Sequence, residues 1–199
     1  MKKDYLRNLV IASHNVGKIH EFKSLLSPYN IKIKSSSDLA ISEVDEIGKT
    51  FEENAIIKVK SVPKNLFALS DDSGLCVNAL QGKPGVYSAR FASEKGGWFS
   101  AMQEIYNSLK RTKSSDFSAK FVCCLAVNIP NNKIFTYSGE IMGTISWPPR
   151  GEYGFGYDPF FIPKGFKKTF GEMQHQKKIL IDHRFEAFKK FAKEHLNNI

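Results

Sequence analysis

The 199-residue sequence has few cysteines and lacks both a long hydrophobic run and a long run of basic residues. Its three cysteines, Cys76, Cys123 and Cys124, are an odd number with two adjacent, which fits neither a disulfide framework nor a zinc quartet. The longest uninterrupted apolar stretch, residues 121–127, is far shorter than the ~18 residues that span a bilayer. We therefore expect reduced core thiols and no membrane partner.

The N-terminal residues are too polar to form the hydrophobic region of a secretory signal, so we expect a cytoplasmic protein. Hydrophobic residues make up 42% of the chain and charged residues 25%, which is too apolar for intrinsic disorder. The length suits one globular domain, and we expect a single domain over residues 1–199.

The formal net charge of +9 favours an anionic partner, but the charge is unevenly distributed. Residues 38–53 contain six acids and one base, a formal charge of −5, and the rest of the chain carries +14. A phosphate chain held through a divalent cation needs both signs of charge, whereas a nucleic-acid-binding protein gains nothing from an acidic segment. We therefore expect no nucleic-acid partner, and an aromatic, basic RNA-binding module is the alternative.

Apolar spacing predicts strands and helices alternating along the whole chain. Strands are predicted at residues 6–13, 31–34, 66–70, 75–80, 117–127 and 133–145, the last two as a hairpin. Helices are predicted between a turn at residues 14–17 and Pro28, from a Thr50–Glu53 capping box to Pro63, over 99–110 and at the C-terminus. This order indicates an α/β or α+β protein with a mixed sheet.

Residues 13–18 connect the first predicted strand to the first predicted helix. The first amides of a helix lack intrahelical partners and lie at the positive end of its dipole, so they can bind phosphate, with Lys18 adding charge. The segment is not a Walker motif, and the nearest match to one, at Gly48, fails because Glu43 stands where its first glycine is required.

Asp71-Asp72-Ser73-Gly74 follows a predicted buried strand. Adjacent carboxylates at a strand end point in different directions, so one can act as metal ligand or base while the other orients it. The same residue types also suit a polar turn. Asp72-Ser73-Gly74 copies the aspartic-protease triplet as well, but that alternative leaves the basic excess unexplained.

Two further segments combine features of a nucleotide site. Residues 151–161 mix glycines with aromatic rings, which lets a planar base approach the backbone, although a tight turn capped by core aromatics has the same composition. Lys177, Lys178, His183 and Arg184 flank the start of the C-terminal helix, where Asp182 is a natural N-cap. Cations in a first turn oppose the helix dipole, so they suggest an anionic or carbonyl ligand, with a solvated basic face as the alternative.

Taken together and in this order, these segments resemble the non-canonical purine nucleoside triphosphate pyrophosphatases, the inosine/xanthosine triphosphate pyrophosphatase family. The matching segments are residues 13–18 (SHNVGK), 50–55 (TFEENA), 71–75 (DDSGL), 84–90 (PGVYSAR), 155–159 (FGYDP) and 183–184 (HR). The resemblance implies an α/β fold with an elongated mixed sheet and flanking helices that form two lobes around a central cleft, in a homodimer.

The same resemblance implies a Mg²⁺-dependent enzyme that hydrolyses ITP, dITP, XTP and dXTP to the monophosphate and pyrophosphate, cleansing the nucleotide pool. Asp72 would bind the metal and act as base on water, with Asp45 as second metal ligand and Glu46 or Glu43 as alternatives. The implied phosphate-binding residues are Ser13, His14, Asn15, Val16, Gly17 and Lys18. Ser73 would touch the substrate. The residues implied for the nucleobase side are Phe155, Gly156, Tyr157, Asp158, Lys178, His183 and Arg184.

Three positions depart from the family pattern. His14 stands where Gly or Asn is more usual, and either adds a donor to the phosphates or fills space. Asp182 replaces the usual Ser before His-Arg, which keeps the helix cap and adds charge near the base. Asn78 replaces a frequent Asp, which removes one partner of any ion pair there.

Overall fold

The computed structural model describes residues 7–130 and 133–196. The described strands are β1 (Asn8–Ile11), β2 (Lys32–Ser35), β3 (Phe67–Val77), β4 (Ser118–Asn128), β5 (Ile134–Ile145) and β6 (Phe161–Pro163). The described α-helices are α1 (Val16–Leu26), α2 (Phe51–Lys60), α3 (Ser88–Glu94), α4 (Trp98–Thr112), α5 (His175–Lys178) and α6 (His183–His195).

The six strands form one sheet in the order β2-β1-β3-β4-β5-β6. Strand β1 pairs in parallel with β2 and β3, and β5 pairs antiparallel with β6, so the sheet is mixed. Only residues 129–133 separate the neighbouring strands β4 and β5, which is too short for a parallel crossover and agrees with the predicted hairpin. The predicted α/β class with a mixed sheet and flanking helices is confirmed.

Contacts group the chain into two compact units. Unit 1 comprises the described residues within Met1–Asp72, Cys123–Gly139 and Arg184–Ile199, and unit 2 comprises Ser73–Val122 and Glu140–His183. A hydrophobic cluster within unit 1 includes Val10, Ala55, Val59, Ala68 and Ala126. A larger cluster within unit 2 includes Leu75, Ile105, Phe121, Phe160 and Phe170. Each unit therefore buries apolar side chains of its own.

Local capping signals decide where the first two helices begin. Helix α1 starts after Asn15, whose side chain accepts a hydrogen bond from the amide of Lys18 at 3.0 Å. Helix α2 starts after Thr50, whose hydroxyl accepts from the amide of Glu53 while the Glu53 carboxylate accepts from the amide of Thr50. The predicted capping box is confirmed.

Strand β3 differs from its prediction. We expected Asp71 to Gly74 at a strand end or in a turn, but β3 runs without interruption from Phe67 to Val77 and contains all four residues. Within unit 2, a Cβ atom at Gly74 would overlap the carbonyl oxygen of Gly85 and the hydroxyl of Ser88, so that backbone packs directly on the strand. Successive side chains of a strand point to opposite faces, which separates the two aspartates.

None of the three cysteines, all of which lie in the described part of the chain, forms a disulfide; Cys123 and Cys124 are buried and Cys76 is half-buried. Across residues 7–130 and 133–196, every helix is too short or too polar to cross a membrane.

Candidate active site

The loop of residues 13–18 has the geometry of an anion site at the start of α1. The first backbone hydrogen bond of this helix runs from Ile19 to Asn15, so the amides of Val16 and Gly17 precede it and are available to a ligand. The hydroxyl of Ser13 accepts from the amide of Asn15 at 3.2 Å and braces the turn.

The side chain of His14 is engaged by the protein itself. Its Nε2 donates to the carbonyl oxygen of Ile41 at 2.9 Å. Of the two roles considered for His14, this contact favours the space-filling one, because the nitrogen ties the loop to the segment that follows β2.

Asp71 receives two cations on one carboxylate oxygen. Its Oδ2 lies 3.1 Å from Nζ of Lys18 and 3.1 Å from Nη2 of Arg184. Burial alone would raise the pKa of Asp71, but the charges of Lys18 and Arg184 outweigh it and hold that pKa well below its usual range. Asp71 therefore stays ionised and holds the Lys18 ammonium beside the start of α1.

Arg184, assigned to the nucleobase side by the resemblance, is paired with carboxylates of the protein. It belongs to unit 1, is 1% exposed, and forms ion pairs with Glu21 and Asp71. The sequence predicted that cations at the start of α6 bind an anionic or carbonyl ligand. The Arg184 guanidinium binds two carboxylates of the protein itself, those of Glu21 and Asp71. Glu21 was not predicted from the sequence. A carboxylate next to the apolar Phe22, on the buried face of α1, was the feature that could have indicated a buried ion pair.

Asp72 has a separate set of partners, all from α2. Its Oδ2 accepts from Nδ2 of Asn54 at 3.2 Å, and its Oδ1 lies 3.2 Å from Nζ of Lys58. Asn54 and Lys58 are four residues apart on one helix and so share a face. The Asn54 amide oxygen also accepts from the backbone of Gly48 at 2.8 Å, which ties the acidic segment to this helix.

Lys58 was not predicted as a site residue. Its ammonium lies 2.9 Å from Oε1 of Glu46 as well as beside Asp72, so one cation joins two carboxylates. Burial lowers the pKa of Lys58, but attraction by Asp72, Asp71 and Glu46 outweighs this and raises it. From the sequence, Lys58 could have been found because it lies four residues after Asn54 and therefore on the same face of α2.

The pKa of Asp72 is raised, opposite to that of Asp71. Burial is the largest cause; Lys58 and Lys18 lower the pKa, and the negative charges of Glu46 and Asp71 raise it further. Two neighbouring carboxylates thus have pKa values pushed in opposite directions, an arrangement typical of acid–base sites. Asp72 is the better base of the two.

Among the acids of residues 43–46, Glu46 is the one that shares a partner with Asp72, whereas the side chain of Asp45 is exposed. Within the described chain no three His, Cys, Asp or Glu side chains cluster as a metal cage. Mg²⁺ needs only one or two carboxylates when substrate phosphates and water complete its coordination. Asp72 and Glu46 offer oxygen ligands of that kind, and the Oδ1 of Asp71 is buried without a hydrogen-bond partner among the described residues.

Unit 2 contains the aromatic loop and its charged supports. Oδ2 of Asp158 accepts from the amide of Phe155 at 2.9 Å and from Nζ of Lys178 at 2.8 Å. The same ammonium lies 4.9 Å from the centre of the Phe155 ring. Asp158 and Lys178 are both buried, so this ion pair fixes the loop in a region with little water.

Gly154 of this loop makes room for the ion pair. Gly154 has a φ of +76°, and a Cβ there would overlap the Asp158 carboxylate. Gly156 has a φ of +64°, also in the left-handed region. Close approach of a carboxylate to the backbone thus explains the glycine at position 154.

The remaining residues assigned to the substrate differ in their surroundings. Tyr157 is a core side chain, with its hydroxyl donating to the carbonyl oxygen of Ser88 at 3.2 Å, and burial raises its pKa. His183 stacks on Phe121 with ring centres 4.8 Å apart, and Oδ2 of Asp182 lies 3.9 Å from Nζ of Lys178. Ser73 is half-buried, next to Asp72 on β3.

The predicted residues therefore fall into two sets. In unit 1 the structure brings together Lys18, Asp71 and Asp72 and adds Lys58 and Glu46 to them. In unit 2 a single ammonium, that of Lys178, joins Phe155, Asp158 and Asp182. Arg184 belongs to the first set and Tyr157 to the core.

Comparison with known proteins places these residues in a family. The chain is 44% identical to the dITP/XTP pyrophosphatase of Mesorhizobium japonicum, with 96% of this chain and 94% of that protein aligned. It is 43% identical to the dITP/XTP pyrophosphatase of Bacillus subtilis, with 94% and 96% aligned.

Solved structures agree with the sequence relatives. A HAM1 protein from Coxiella burnetii superposes with a TM-score of 0.85 at 36% identity, over 94% of this chain and 97% of that one. The Staphylococcus aureus Ham1 protein superposes with a TM-score of 0.84 at 35% identity, over 96% and 100%. The model of the Ham1 family matches residues 9–194, and the chain therefore belongs to the Ham1 family.

Proposed function

We propose that this protein hydrolyses the non-canonical purine nucleoside triphosphates dITP, ITP, dXTP and XTP to the monophosphate and pyrophosphate, which removes them from the nucleotide pool. The relatives named dITP/XTP pyrophosphatases align with more than nine-tenths of the chain. The observation that carries the proposal is the aspartate pair of β3, in which Lys18 and Arg184 each lie 3.1 Å from the Asp71 carboxylate while Asn54 and Lys58 each lie 3.2 Å from that of Asp72.

The phosphate chain binds at the start of α1. The amides of Val16 and Gly17 and the ammonium of Lys18 supply donors and positive charge, and Asp71 keeps that ammonium in place at 3.1 Å. The same groups stabilise the negative charge that develops on the departing pyrophosphate.

Asp72 acts as the base that orients and deprotonates the attacking water. Asn54 holds one carboxylate oxygen and Lys58 the other, so the side chain keeps a single orientation. Its raised pKa makes it a stronger proton acceptor than an exposed aspartate.

Mg²⁺ is the proposed cofactor, held by Asp72 and Glu46, with Asp45 as the alternative second ligand. Both proposed carboxylates share the Lys58 ammonium, so they face a position where positive charge is favoured. When bound, Mg²⁺ supplies charge that neutralises triphosphate oxygens during phosphoryl transfer.

The nucleobase binds on the loop of residues 155–158, with Phe155 as the stacking ring and Lys178 as a donor. A donor aimed at the 6-oxo group of hypoxanthine or xanthine meets another donor in adenine, and mismatches of this kind reject an analogue by ~10⁴-fold or more. We also propose that the protein is a cytoplasmic homodimer.

The test is pyrophosphate release from ITP, XTP, GTP and ATP at equal concentration, with and without Mg²⁺. We expect release from ITP and XTP that requires the metal, loss of release in Asp72→Asn, and unchanged release in Asp116→Asn, which alters an exposed aspartate. Absence of pyrophosphate with every substrate would refute the enzyme. Tight, salt-dependent RNA binding without hydrolysis would favour the RNA-binding alternative.

A further inference from the structure

Trp98 is an exposed tryptophan at the first position of α4, in unit 2. It follows Gly96 and Gly97, both with positive φ, and 38% of its surface is exposed. The rest of the ring packs on other residues of unit 2.

The indole of Trp98 faces Gly156. Carbons Cη2 and Cζ3 of the indole lie 3.6 Å from the point a Cβ of Gly156 would occupy, and apart from Gly156 and its two chain neighbours the three atoms nearest to that point all belong to Trp98. The indole also meets the ring of Tyr157 edge-to-face, with centres 5.1 Å apart at 86°. Trp98 thus covers the side of the loop that has no side chain of its own.

Other contacts hold this loop elsewhere along its length. The Asp158 carboxylate, paired with Lys178, holds the amide of Phe155, and the Tyr157 hydroxyl holds the backbone of Ser88. Gly156 lies between these anchors and has the backbone freedom that a glycine brings. The amide of Asp158 donates to the carbonyl oxygen of Phe155 at 3.2 Å, which closes a turn over Gly156, and the Trp98 indole faces this turn and packs on Tyr157.

We propose that Trp98 is a positioning residue for nucleobase binding: its indole holds Gly156 and Tyr157 so that the Phe155 ring is presented in one orientation. This inference rests on the proposed function, because it takes residues 155–158 as the base-binding loop. Trp98 acts through the loop, and the groups that act on the phosphates belong to other elements.

Phe99 provides a matched control. It is the next residue on the same helix and is 61% exposed, but its ring packs against Trp147 at 6.1 Å. Trp98→Ala and Phe99→Ala therefore remove a large aromatic ring from the same helix turn, and only the first uncovers Gly156.

Steady-state kinetics with ITP test the inference. For Trp98→Ala we expect KM to rise roughly 2- to 10-fold, the factor that an edge-to-face aromatic pair corresponds to, with kcat nearly unchanged. Affinity for inosine monophosphate should fall by the same factor, while affinity for inorganic tripolyphosphate, which has no base, should not change. Trp98→Phe should restore most of the affinity, and Phe99→Ala should match the wild type.

Fluorescence gives a second measurement, because Trp98 and Trp147 are the only tryptophans in the sequence. In Trp147→Phe, inosine monophosphate should change the emission of Trp98 and tripolyphosphate should not.

The inference is overturned if the wild type is active and Trp98→Ala has the same KM. It is also overturned if Trp98→Ala loses affinity for inosine monophosphate and for tripolyphosphate by the same factor. A wild type that hydrolyses no purine triphosphate would instead refute the proposed function. If Trp98→Ala does not fold, Trp98→Leu replaces it.

Discussion

The Lys58 ammonium lies 3.2 Å from Oδ1 of Asp72, the carboxylate that we propose as the base. Lys58→Met should raise the pKa of Asp72 further, because the cation that lowers it is lost while burial and the charge of Glu46 remain. We expect kcat for ITP to fall roughly 10²-fold at neutral pH, the lower range of a general base's contribution, and the acid limb of the pH–rate profile to move to higher pH. Lys60→Met, an exposed change on the same helix, is the control. An unmoved acid limb would contradict the role given to Lys58.

Glu46 and Asp45 are adjacent acids with different surroundings. Because Glu46 shares Lys58 with Asp72 and Asp45 is exposed, Glu46→Gln should weaken Mg²⁺ binding more than Asp45→Asn does. The measurement is the rate of pyrophosphate release as Mg²⁺ is titrated. We expect a higher half-saturating concentration in Glu46→Gln, with rate partly recovered at high Mg²⁺. A larger effect in Asp45→Asn would assign the second ligand to Asp45.

Gly154 leaves space for the Asp158 carboxylate. Gly154→Ala should displace that carboxylate from Lys178, because the new Cβ would overlap it. Loss of a hydrogen bond to a charged group is worth ~1.5–3 kcal/mol, so we expect KM for ITP to rise about 10-fold or more. Gly165→Ala shares the positive φ but meets no atom within 4 Å, and it isolates the effect of backbone strain. Similar KM values in the two variants would show that the carboxylate's position is unimportant.

Asp71 neutralises buried cations, so Asp71→Asn should destabilise the fold. Removing one partner of a buried ion pair costs ~3–5 kcal/mol; because Glu21 still pairs with Arg184, we expect a loss near the lower value in urea unfolding at pH 7. Asp116→Asn, on an exposed loop, should leave the free energy of unfolding unchanged.

The same aspartate makes stability depend on acid pH. Its pKa is lowered in the folded state, so its contribution is fully present above the ordinary value of about 3.9 and is lost as pH falls from there through the folded value. The wild type should lose stability over that interval more steeply than Asp71→Asn. Parallel urea-unfolding curves against pH for the two proteins would contradict this assignment.

Local signals account for most of the secondary structure. Apolar spacing predicted α1, α2, α4 and the hairpin strands, and the Thr50 capping box marked the start of α2, because a cap needs only residues two or three positions away. The predicted strand ended before Asp71, because the residue types from Asp71 to Gly74 suit a turn. In the structure these residues belong to β3, where ion pairs with Lys18 and Lys58 stabilise the carboxylates of Asp71 and Asp72.

By itself, the sequence determined the α/β class, the adjacent aspartates and the family, since these depend on residue types at short, regular spacing. Only the tertiary structure decided which cation serves which carboxylate. Arg184 pairs with Glu21 across 163 residues of sequence, and Trp98 packs on Tyr157 from a different element. Such contacts form between residues that the fold brings together from distant parts of the chain. A charge removed from water needs a nearby opposite charge, whatever the distance in sequence between the two residues.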